Sequence, residues 1–359
     1  MIILGSEYGK NFTGNPKYFF LYLLQRKNNK YEEIFWITKN KNILAELKEK
    51  KLPVLYMYSW KGFKAILCSQ HLVISFTHED VSYGSLLFGN FNFIQTYHGT
   101  PTKGSDTLME KSLKNSIIKY FLLRRKKSYK VFLTTSVESG KKYQKRGFKN
   151  TEILGYPRND VLFDDRLAYH DYKTKLDLEK FEKIILYAPT FRDITTKKVP
   201  FSTQFLKIFN DYLSENNFAF LLKQHSQEKS TLNYNTYSNI INVSNYVDIQ
   251  EMLPFTDLLI TDYSSIVTDF ALLERPIIFY PYDIEEFSQM RNIKQDYYKD
   301  MPGPFVYNEE KLLSEIKSDK IHFNKPEYKQ RFQKFQDDFN QFKDDKSSER
   351  LYDFLINLK

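Results

Sequence analysis

Residues 257–283 have the sequence DLLITDYSSIVTDFALLERPIIFYPYD. An apolar run, a short polar turn, a helical pattern and a second apolar run follow one another within this stretch. The spacing predicts a strand, a helix and a second strand, which together form one compact βαβ unit. Parallel strands joined by a helix belong to a sheet that is covered by helices. The stretch therefore predicts an α/β fold.

The same alternation of short apolar runs and longer helical patterns extends over the rest of the chain. The first half contains the runs MIIL, EIFWIT, HLVISF, FNFIQTY, KVFLTTS and TEILG. The second half contains KIILYAPTF, FAFLLKQH, IINVS, DLLITD and PIIFYP. Between the two sets, residues 164–183 are charged and poor in aliphatic runs, as expected of a domain boundary. We predict two doubly wound, Rossmann-like domains.

The composition is that of a globular protein. Of the 359 residues, 42% are hydrophobic and 17% aromatic, which is enough apolar material for packed cores and excludes a largely disordered chain. The single cysteine, Cys68, has no partner for an intramolecular disulfide, and Glu7 interrupts the start too early for a secretory signal. No apolar stretch is long enough to predict a membrane-spanning helix. These features predict a cytoplasmic protein.

The chain is basic, with a formal net charge of +9, and this balance favours anionic partners. Residues 108–130 have the sequence LMEKSLKNSIIKYFLLRRKKSYK, in which apolar residues recur at helical spacing among many cations. The pattern is typical of a basic amphipathic helix on an anionic membrane surface, and equally of a domain helix with a solvated charged face. Zinc-ligand spacing, an RNP-like strand and a helix-turn-helix are all missing, so nucleic acid is not a predicted partner.

A histidine follows the apolar run FNFIQ in the sequence TYHGTP, residues 96–101. In open parallel sheets, ligands bind beyond the carboxyl ends of the strands, where His98 is expected to lie. Gly99 permits a tight turn after it, and Pro101 stiffens the exit. An imidazole with an ordinary pKa near 6.5 can act as a general base on a hydroxyl at neutral pH. From its position alone, His98 could equally satisfy a loop carbonyl.

Several polar residues in the second half also follow predicted strands. Asp262 ends the strand DLLIT, and Ser264 or Ser265 is placed to cap the next helix, whose N-terminus would attract phosphate. Two further strands end in basic residues that could bind a phosphate or form surface ion pairs, namely Arg192, Lys223 and His225.

Five ordered motifs resemble the CDP-glycerol glycerophosphotransferase family, the teichoic acid primases and polymerases. They are QTYHGTPTK, LGYPRND, ILYAPTFR, the basic-X-His element after FAFLL, and the stretch 257–283. The opening EYGKNFTGNPKYFFLYL is also similar, so the resemblance covers residues 5 to 354. It implies a GT-B architecture, two Rossmann-like domains that face a central cleft. Accordingly we expect an acceptor and membrane-docking domain over residues 1–165, a CDP-donor domain over 166–335, and a C-terminal helix over 336–359 that returns to the first domain.

The implied reaction moves glycerol phosphate from CDP-glycerol to a hydroxyl of a lipid-linked teichoic acid or capsule-type polymer and releases CMP. It would take place on the inner face of the plasma membrane. The resemblance implies catalytic roles for His98 and His225. It assigns the donor to Arg192, Lys223, Asp262, Ser264, Ser265 and Asp269, and the acceptor to Gly99, Thr100 and Lys103. Neither a cofactor nor a metal is predicted.

The sequence departs from the family pattern at two places, and alternatives stay open. Ser226 follows His225 where a proline or aromatic residue is usual, and the segment after HGTPTK is poorer in apolar residues than expected. The same chemistry with CDP-ribitol or another CDP-alditol is the first alternative, and a GT-B glycosyltransferase that uses a UDP-sugar is the second. A membrane-docked scaffold without catalysis is the third. The sequence makes no prediction of the oligomeric state.

Overall fold

The computed structural model of the chain describes residues 1–82, 91–100, 128–190, 199–223, 236–286 and 301–358, without the side chains of 319–322. These residues form two compact units. The first unit contains residues 1–82, 91–100, 128–168 and 338–358, and the second contains the described residues from 169 to 337. Most of the basic segment 108–130, with Lys103, Arg192 and His225, lies outside the described residues.

The first unit is built on a sheet of seven parallel strands in the order β3-β2-β1-β4-β5-β6-β7. Its interior strands are short apolar runs that are buried on both faces, as in other parallel sheets. The strands are β1 Ile2–Leu4, β2 Ile34–Thr38, β3 Val54–Tyr56, β4 His71–Ile74, β5 Asn92–Gln95, β6 Tyr129–Thr134 and β7 Thr151–Ile153.

The second unit has a sheet of five parallel strands in the order β10-β9-β8-β11-β12. One apolar core under this sheet is rich in phenylalanine and includes Phe201, Phe205, Phe209 and Phe220. The strands are β8 Lys183–Tyr187, β9 Phe218–Leu222, β10 Ile240–Asn242, β11 Leu258–Thr261 and β12 Ile277–Phe279.

Helices connect the strands, as expected of right-handed βαβ crossovers. In the first helix, residues 15–21 and Leu23 are buried, so this helix belongs to the core on nearly all sides. The helices are α1 Gly14–Gln25, α2 Lys41–Glu49, α3 Trp60–Leu67, α4 Val137–Lys145, α5 Tyr172–Lys175, α6 Thr203–Glu215, α7 Ile266–Phe270, α8 Glu309–Phe323, α9 Pro326–Phe339 and α10 Ser347–Ile356.

The predicted fold class is confirmed, since both sheets are parallel and of Rossmann type. Each strand predicted from an apolar run is present, and β3 is the one that the sequence did not predict. This strand has three half-buried residues at the edge of the sheet, and it directly follows Pro53. The predicted boundaries at residues 165 and 335 stay predictions, while the contacts divide the described chain after Ala168 and after Asp337.

The structure has parts of two helices where the sequence predicts one over residues 336–359. Helix α9 ends at Phe339, and α10 is a separate helix that belongs to the first unit. The buried Asp160 carboxylate accepts the N–H groups of Ser347 (2.9 Å) and Ser348 (2.8 Å), the first two residues of α10. These N–H groups have no partner inside the helix, so the carboxylate both caps α10 and connects it to residues 157–162.

We predict that Asp160→Asn changes how stability depends on pH. Burial raises the pKa of Asp160 to about 6, against hydrogen bonds from Ser347 and Ser348 that lower it. The folded state therefore binds the proton of Asp160 more tightly than the unfolded state does. The contribution of this proton to the free energy of unfolding is complete below about pH 4 and is lost as the pH rises through 6. An asparagine at this position cannot titrate, so this component, on the order of 2–3 kcal/mol, should vanish.

Urea unfolding at several pH values between 4 and 7 measures this effect. The exposed neighbour Asp165, changed to Asn, is the control and should keep the wild-type slope. A constant difference in unfolding free energy between wild type and Asp160→Asn over this range would contradict the prediction.

Candidate active site

The strand order of the first unit defines where a ligand can bind. The chain builds β2 and β3 on one side of β1 and then continues with β4 on the other side, so the switch point lies between β1 and β4. Three loops leave the sheet at the carboxyl ends of neighbouring strands. We call residues 5–13 the β1 loop, residues 75–80 the β4 loop and residues 96–100 the histidine loop.

His98, in the histidine loop, is the one exposed residue among the four histidines whose side chains are described. His71 is buried and shares a hydrogen bond with Tyr31 (2.8 Å), and His78 is buried and shares one with Ser128 (2.7 Å). The fourth, His170, is hydrogen-bonded to Glu251 in the second unit. Solvent exposure at a strand end therefore singles out His98 for chemistry with a ligand.

Side chains from distant parts of the chain fix the backbone of the histidine loop. The fully buried Asn15 of α1 donates its amide N–H groups to the carbonyls of Thr96 and Tyr97, both at 2.9 Å. The Arg158 guanidinium donates to the carbonyl of His98 at 2.8 Å. The same Asn15 accepts the N–H of Arg158 (3.1 Å), so one amide connects the loop with the motif LGYPRND.

Further contacts complete the loop after His98. The Tyr143 hydroxyl donates to the carbonyl of Gly99 at 2.8 Å, and the buried Thr100 hydroxyl shares a hydrogen bond with Thr135 at 3.1 Å. Four consecutive carbonyls, from residue 96 to 99, thus receive side-chain donors. Tyr97 has a φ of 55°, a left-handed conformation that is unusual for a non-glycine residue. Such strain persists where the surroundings impose it, here directly before the histidine.

The β4 loop orients the ring of His98. The Phe76 ring stacks on the imidazole with a centroid distance of 4.4 Å and an interplanar angle of 15°. Desolvation lowers the pKa of His98, and the nearby Ser75 backbone opposes this lowering in part. A neutral imidazole has one ring nitrogen that carries no proton, and this nitrogen is the acceptor that a general base needs.

A buried carboxylate shapes the β4 loop. Asp80 accepts the N–H groups of Ser75 (2.9 Å) and Phe76 (2.7 Å), and also that of Tyr8 in the β1 loop (2.7 Å). It therefore connects the two loops on either side of the switch point. Burial raises the pKa of Asp80 to about 6, and the backbone N–H groups lower it in part. Asp80 fixes the residues that contact His98 without touching the imidazole itself.

The surroundings favour the neutral form of His98. Desolvation by the surrounding protein, and next the positive charge of Arg158, lower the pKa of His98 to about 4. The exposed surface of this residue allows solvent to screen part of the effect, but both causes act in the same direction. The imidazole is therefore neutral at pH 7 and can accept a proton.

The second unit has a switch point between β8 and β11. The fully buried Asp262 follows β11, and its carboxylate accepts the N–H of Thr190, which follows β8, at 2.7 Å. It also accepts the N–H of Tyr263. These bonds give Asp262 a loop-shaping role at the switch point, and its assignment to the donor stays a prediction.

Ser264 and Ser265 lie at the same strand end and are half-buried. The Ser264 hydroxyl accepts the N–H of Ile266 at 3.4 Å, whereas the Ser265 side chain makes no capping hydrogen bond. The helix that follows, α7, has five residues, and Asp269 is buried within it. The phosphate-binding roles of Ser264, Ser265 and Asp269 stay predictions.

Lys223 follows β9, two strands away from β11. Its ammonium donates to the carbonyls of Ser244 (3.2 Å) and Tyr246 in the loop after β10. Those bonds order this strand end, and a contact of Lys223 with the donor phosphate stays a prediction.

The acceptor roles of Gly99 and Thr100 also stay predictions, since both residues are buried and bonded within the histidine loop. Lys103, Arg192 and His225 lie outside the described residues.

Five polar residues around His98 have roles that the sequence did not assign. Asn15 and Arg158 occur in stretches that carry the family resemblance, but their partners are backbone carbonyls far away in sequence. Asp80 could have been found as the acidic residue that closes the polar turn SFTHED after a predicted strand. The other two are Gln95 and Tyr143. Gln95 donates to the carbonyl of Phe76 and accepts the N–H of Tyr97, and Tyr143 donates to the carbonyl of Gly99.

Comparison with known proteins identifies the family. A sequence model described as CDP-Glycerol:Poly(glycerophosphate) glycerophosphotransferase matches residues 1–357. The chain belongs to this family. The predicted resemblance and the enzyme class, a glycerophosphotransferase of teichoic acid synthesis, are thereby confirmed.

The relatives of this chain include two staphylococcal proteins. The teichoic acid glycerol-phosphate transferase of Staphylococcus aureus is 29% identical over 369 residues, which cover 98% of this chain and 91% of that protein. The teichoic acid poly(glycerol phosphate) polymerase of Staphylococcus epidermidis is 30% identical over 380 residues, which cover 99% of this chain. The chain spans about half the length of that polymerase, since the match covers 50% of it.

A solved structure supports the fold of this glycerophosphotransferase. The wall teichoic acid polymerase TagF superposes with a TM-score of 0.81 at 26% sequence identity, over 99% of this chain and 88% of that one. The GT-B-type fold class is therefore confirmed.

We predict that Asp80→Asn lowers turnover by misplacing His98. An asparagine offers one acceptor oxygen, and its NH₂ group would meet backbone N–H groups, so the β4 loop should lose its alignment. A displacement near 1 Å at a catalytic group costs up to about 100-fold in rate. We expect kcat for glycerol-phosphate transfer from CDP-glycerol to fall about 10–100-fold, with the donor KM little changed.

The exposed neighbour Glu79, changed to Gln, is the matched control and should retain full turnover. Wild-type kcat in a folded Asp80→Asn protein would show that Asp80 does not position His98.

A second prediction concerns Arg158. Its positive charge lowers the pKa of His98, so Arg158→Gln should raise that pKa and move the acid limb of the kcat/KM profile towards pH 6.5. Arg158→Lys keeps the charge and should leave the limb at low pH, while Arg166→Gln, on an exposed side chain, serves as the control. The prediction fails if the Gln and Lys variants share one acid limb.

Proposed function

We propose that this protein transfers glycerol phosphate from CDP-glycerol to a hydroxyl of a lipid-linked teichoic acid or capsule-type polymer and releases CMP. Family membership supports glycerophosphotransfer over the UDP-sugar alternative. The observation that carries the mechanism is the place of His98, an exposed residue at a strand end whose imidazole is kept neutral and is stacked on Phe76.

In the proposed reaction, His98 accepts the proton of the acceptor hydroxyl through its unprotonated ring nitrogen. The acceptor oxygen attacks the phosphorus that carries glycerol, a new P–O bond forms, and the bond to the CMP oxygen breaks. CMP leaves with the electron pair of that bond. Because such transfers depend mainly on positioning and electrostatics, the rigid backbone of the histidine loop is as important as the base itself.

The donor belongs, in this proposal, to the second unit. Its switch point between β8 and β11 is where open parallel sheets bind ligands, and the polar residues after β8, β9 and β11 lie along that edge. Neighbouring parallel strands are about 5 Å apart, so the ends of β9 and β11 are separated by roughly 10 Å. This distance suits a nucleoside diphosphate. We assign Lys223, Asp262, Ser264, Ser265 and Asp269 to the donor site, with Arg192 and His225 beyond the described residues.

The acceptor and the location are part of the same proposal. We assign acceptor binding to the histidine loop and Lys103, and the site of action to the inner face of the plasma membrane. Among the described residues, no helix has the length and apolarity to cross a bilayer. The basic segment 108–130 supports contact with an anionic membrane surface through its cations.

The test measures CMP release by the purified protein with a lipid-linked glycerol-phosphate primer. CDP-glycerol and CDP-ribitol are supplied in parallel, and wild type is compared with His98→Ala and His98→Gln. We expect primer-dependent release from CDP-glycerol and a loss of at least about 100-fold in both variants, because general-base catalysis contributes 10²–10⁴-fold. His71→Gln, at a buried histidine at the amino end of β4, controls for general perturbation.

Each result has a defined meaning. CMP release from CDP-ribitol alone would show that the donor carries ribitol in place of glycerol, and it would leave the proposed mechanism unchanged. Full turnover in a folded His98→Ala protein would reject His98 as the base. If neither donor supports release while the primer is present, the donor assignment is wrong.

A further inference from the structure

Helix α3 presents an aromatic face to solvent. Trp60 is 76% exposed, Phe63 is 42% exposed and Leu67 is 45% exposed. These three positions are separated by three and four residues, so they lie on one side of the helix. Tyr58, just before the helix, is 59% exposed and adds to the same region.

The opposite side of α3 is anchored in the protein. Ala65 and Ile66 belong to the apolar core of the first unit, together with Met57. The Ser59 hydroxyl accepts the N–H of Gly62 at 3.0 Å and caps the helix. A Cβ atom at Gly62 would lie 2.3 Å from the carbonyl oxygen of Tyr56, so helix and β3 are in close contact. The exposed face is therefore a fixed feature of a packed helix.

Such a face is unusual on a water-facing helix. The chain has two tryptophans, and the other one, Trp36, is completely buried. Large apolar side chains that cluster on a surface mark a site of interaction, whereas single ones need no explanation. The adjacent Trp60 and Phe63 rings, 5.7 Å apart, form such a cluster.

The charged residues within α3 and next to it in sequence have one sign. Lys61 and Lys64 are exposed on α3 beside the aromatic residues, and Lys50 and Lys51 precede β3. Between Glu49 and Glu79 the sequence contains no acidic residue. Aromatic side chains with flanking lysines therefore match a partner that has an apolar interior beneath an anionic surface layer.

We propose that the α3 face, formed by Tyr58, Trp60, Lys61, Phe63, Lys64 and Leu67, docks on an anionic lipid bilayer. Trp and Tyr favour the headgroup region, and lysine stems extend along apolar surface while their ammonium groups reach lipid phosphates. A symmetric contact between two copies would bring these lysines against each other, which disfavours a dimer through this face. This inference rests on the proposed function in one respect, namely that the acceptor is linked to a membrane lipid. The α3 face is a different membrane contact from the basic segment 108–130.

Binding of the full chain to vesicles tests the proposal without any turnover. Co-sedimentation is measured with phosphatidylcholine vesicles and with vesicles that contain about 30% phosphatidylglycerol, which supply the anionic surface. Wild type is compared with Trp60→Ala/Phe63→Ala, with Lys61→Gln/Lys64→Gln, and with Tyr307→Ala as a control at an exposed aromatic residue of the second unit. We expect partitioning onto the anionic vesicles to fall about tenfold or more in the aromatic variant, and about fivefold for each lysine removed.

Fluorescence gives a second, independent reading. Brominated lipid should quench Trp60 in the wild type and leave the emission of Trp60→Phe, which retains the buried Trp36, unchanged. Wild-type vesicle binding by a folded Trp60→Ala/Phe63→Ala protein would overturn the proposal. Self-association that this variant abolishes, without a change in vesicle binding, would also overturn it in favour of a second copy. A protein that binds vesicles through α3 but releases no CMP would separate this inference from the proposed function.

Discussion

A buried carboxylate at the switch point of each sheet determines how the candidate sites are built. Parallel strands that end at one edge leave loops whose backbone N–H groups need acceptors. In the first unit Asp80 accepts N–H groups from the loops after β1 and β4, and in the second unit Asp262 accepts N–H groups from the loops after β8 and β11. In both units a buried carboxylate accepts backbone N–H groups from two neighbouring loops and so holds the loops together. Burial of a carboxylate is unfavourable by itself, and these hydrogen bonds offset it.

The histidine loop shows what this construction achieves. The imidazole of His98 contacts Phe76 and Ser75, both of which depend on the carboxylate of Asp80, while the loop backbone depends on Asn15 and Arg158. A catalytic group gains from rigid support because it then needs no reorganisation when the substrate is bound. His98 and its buried supports thus form a single structural unit, in which the supporting residues outnumber the proposed base.

Most of the fold could be predicted from the sequence, because strands that are buried on both faces appear as continuous apolar runs. The edge strand β3 was missed because it is only three residues long and directly follows Pro53. His98 could be found from its place after a strand, since the strand-end rule needs only local sequence. Asn15 and Arg158 could not be given roles, because each donates to a carbonyl that is 81 or 60 residues away. Hydrogen bonds to backbone leave no pattern of complementary side chains in the sequence.

The place of helix α10 affects how the chain can fold as it is synthesised. Residues 347–356 complete the first unit, through Asp160 and through the Tyr352 hydroxyl, which accepts the N–H of Lys30 at 2.9 Å. At about 5–20 residues per second, the ribosome needs tens of seconds to reach this helix after the first strand has emerged. During that time the second unit can fold before the first is complete, although its sequence comes later. A nascent chain would therefore expose the α10 docking surface to chaperones until α10 itself is made.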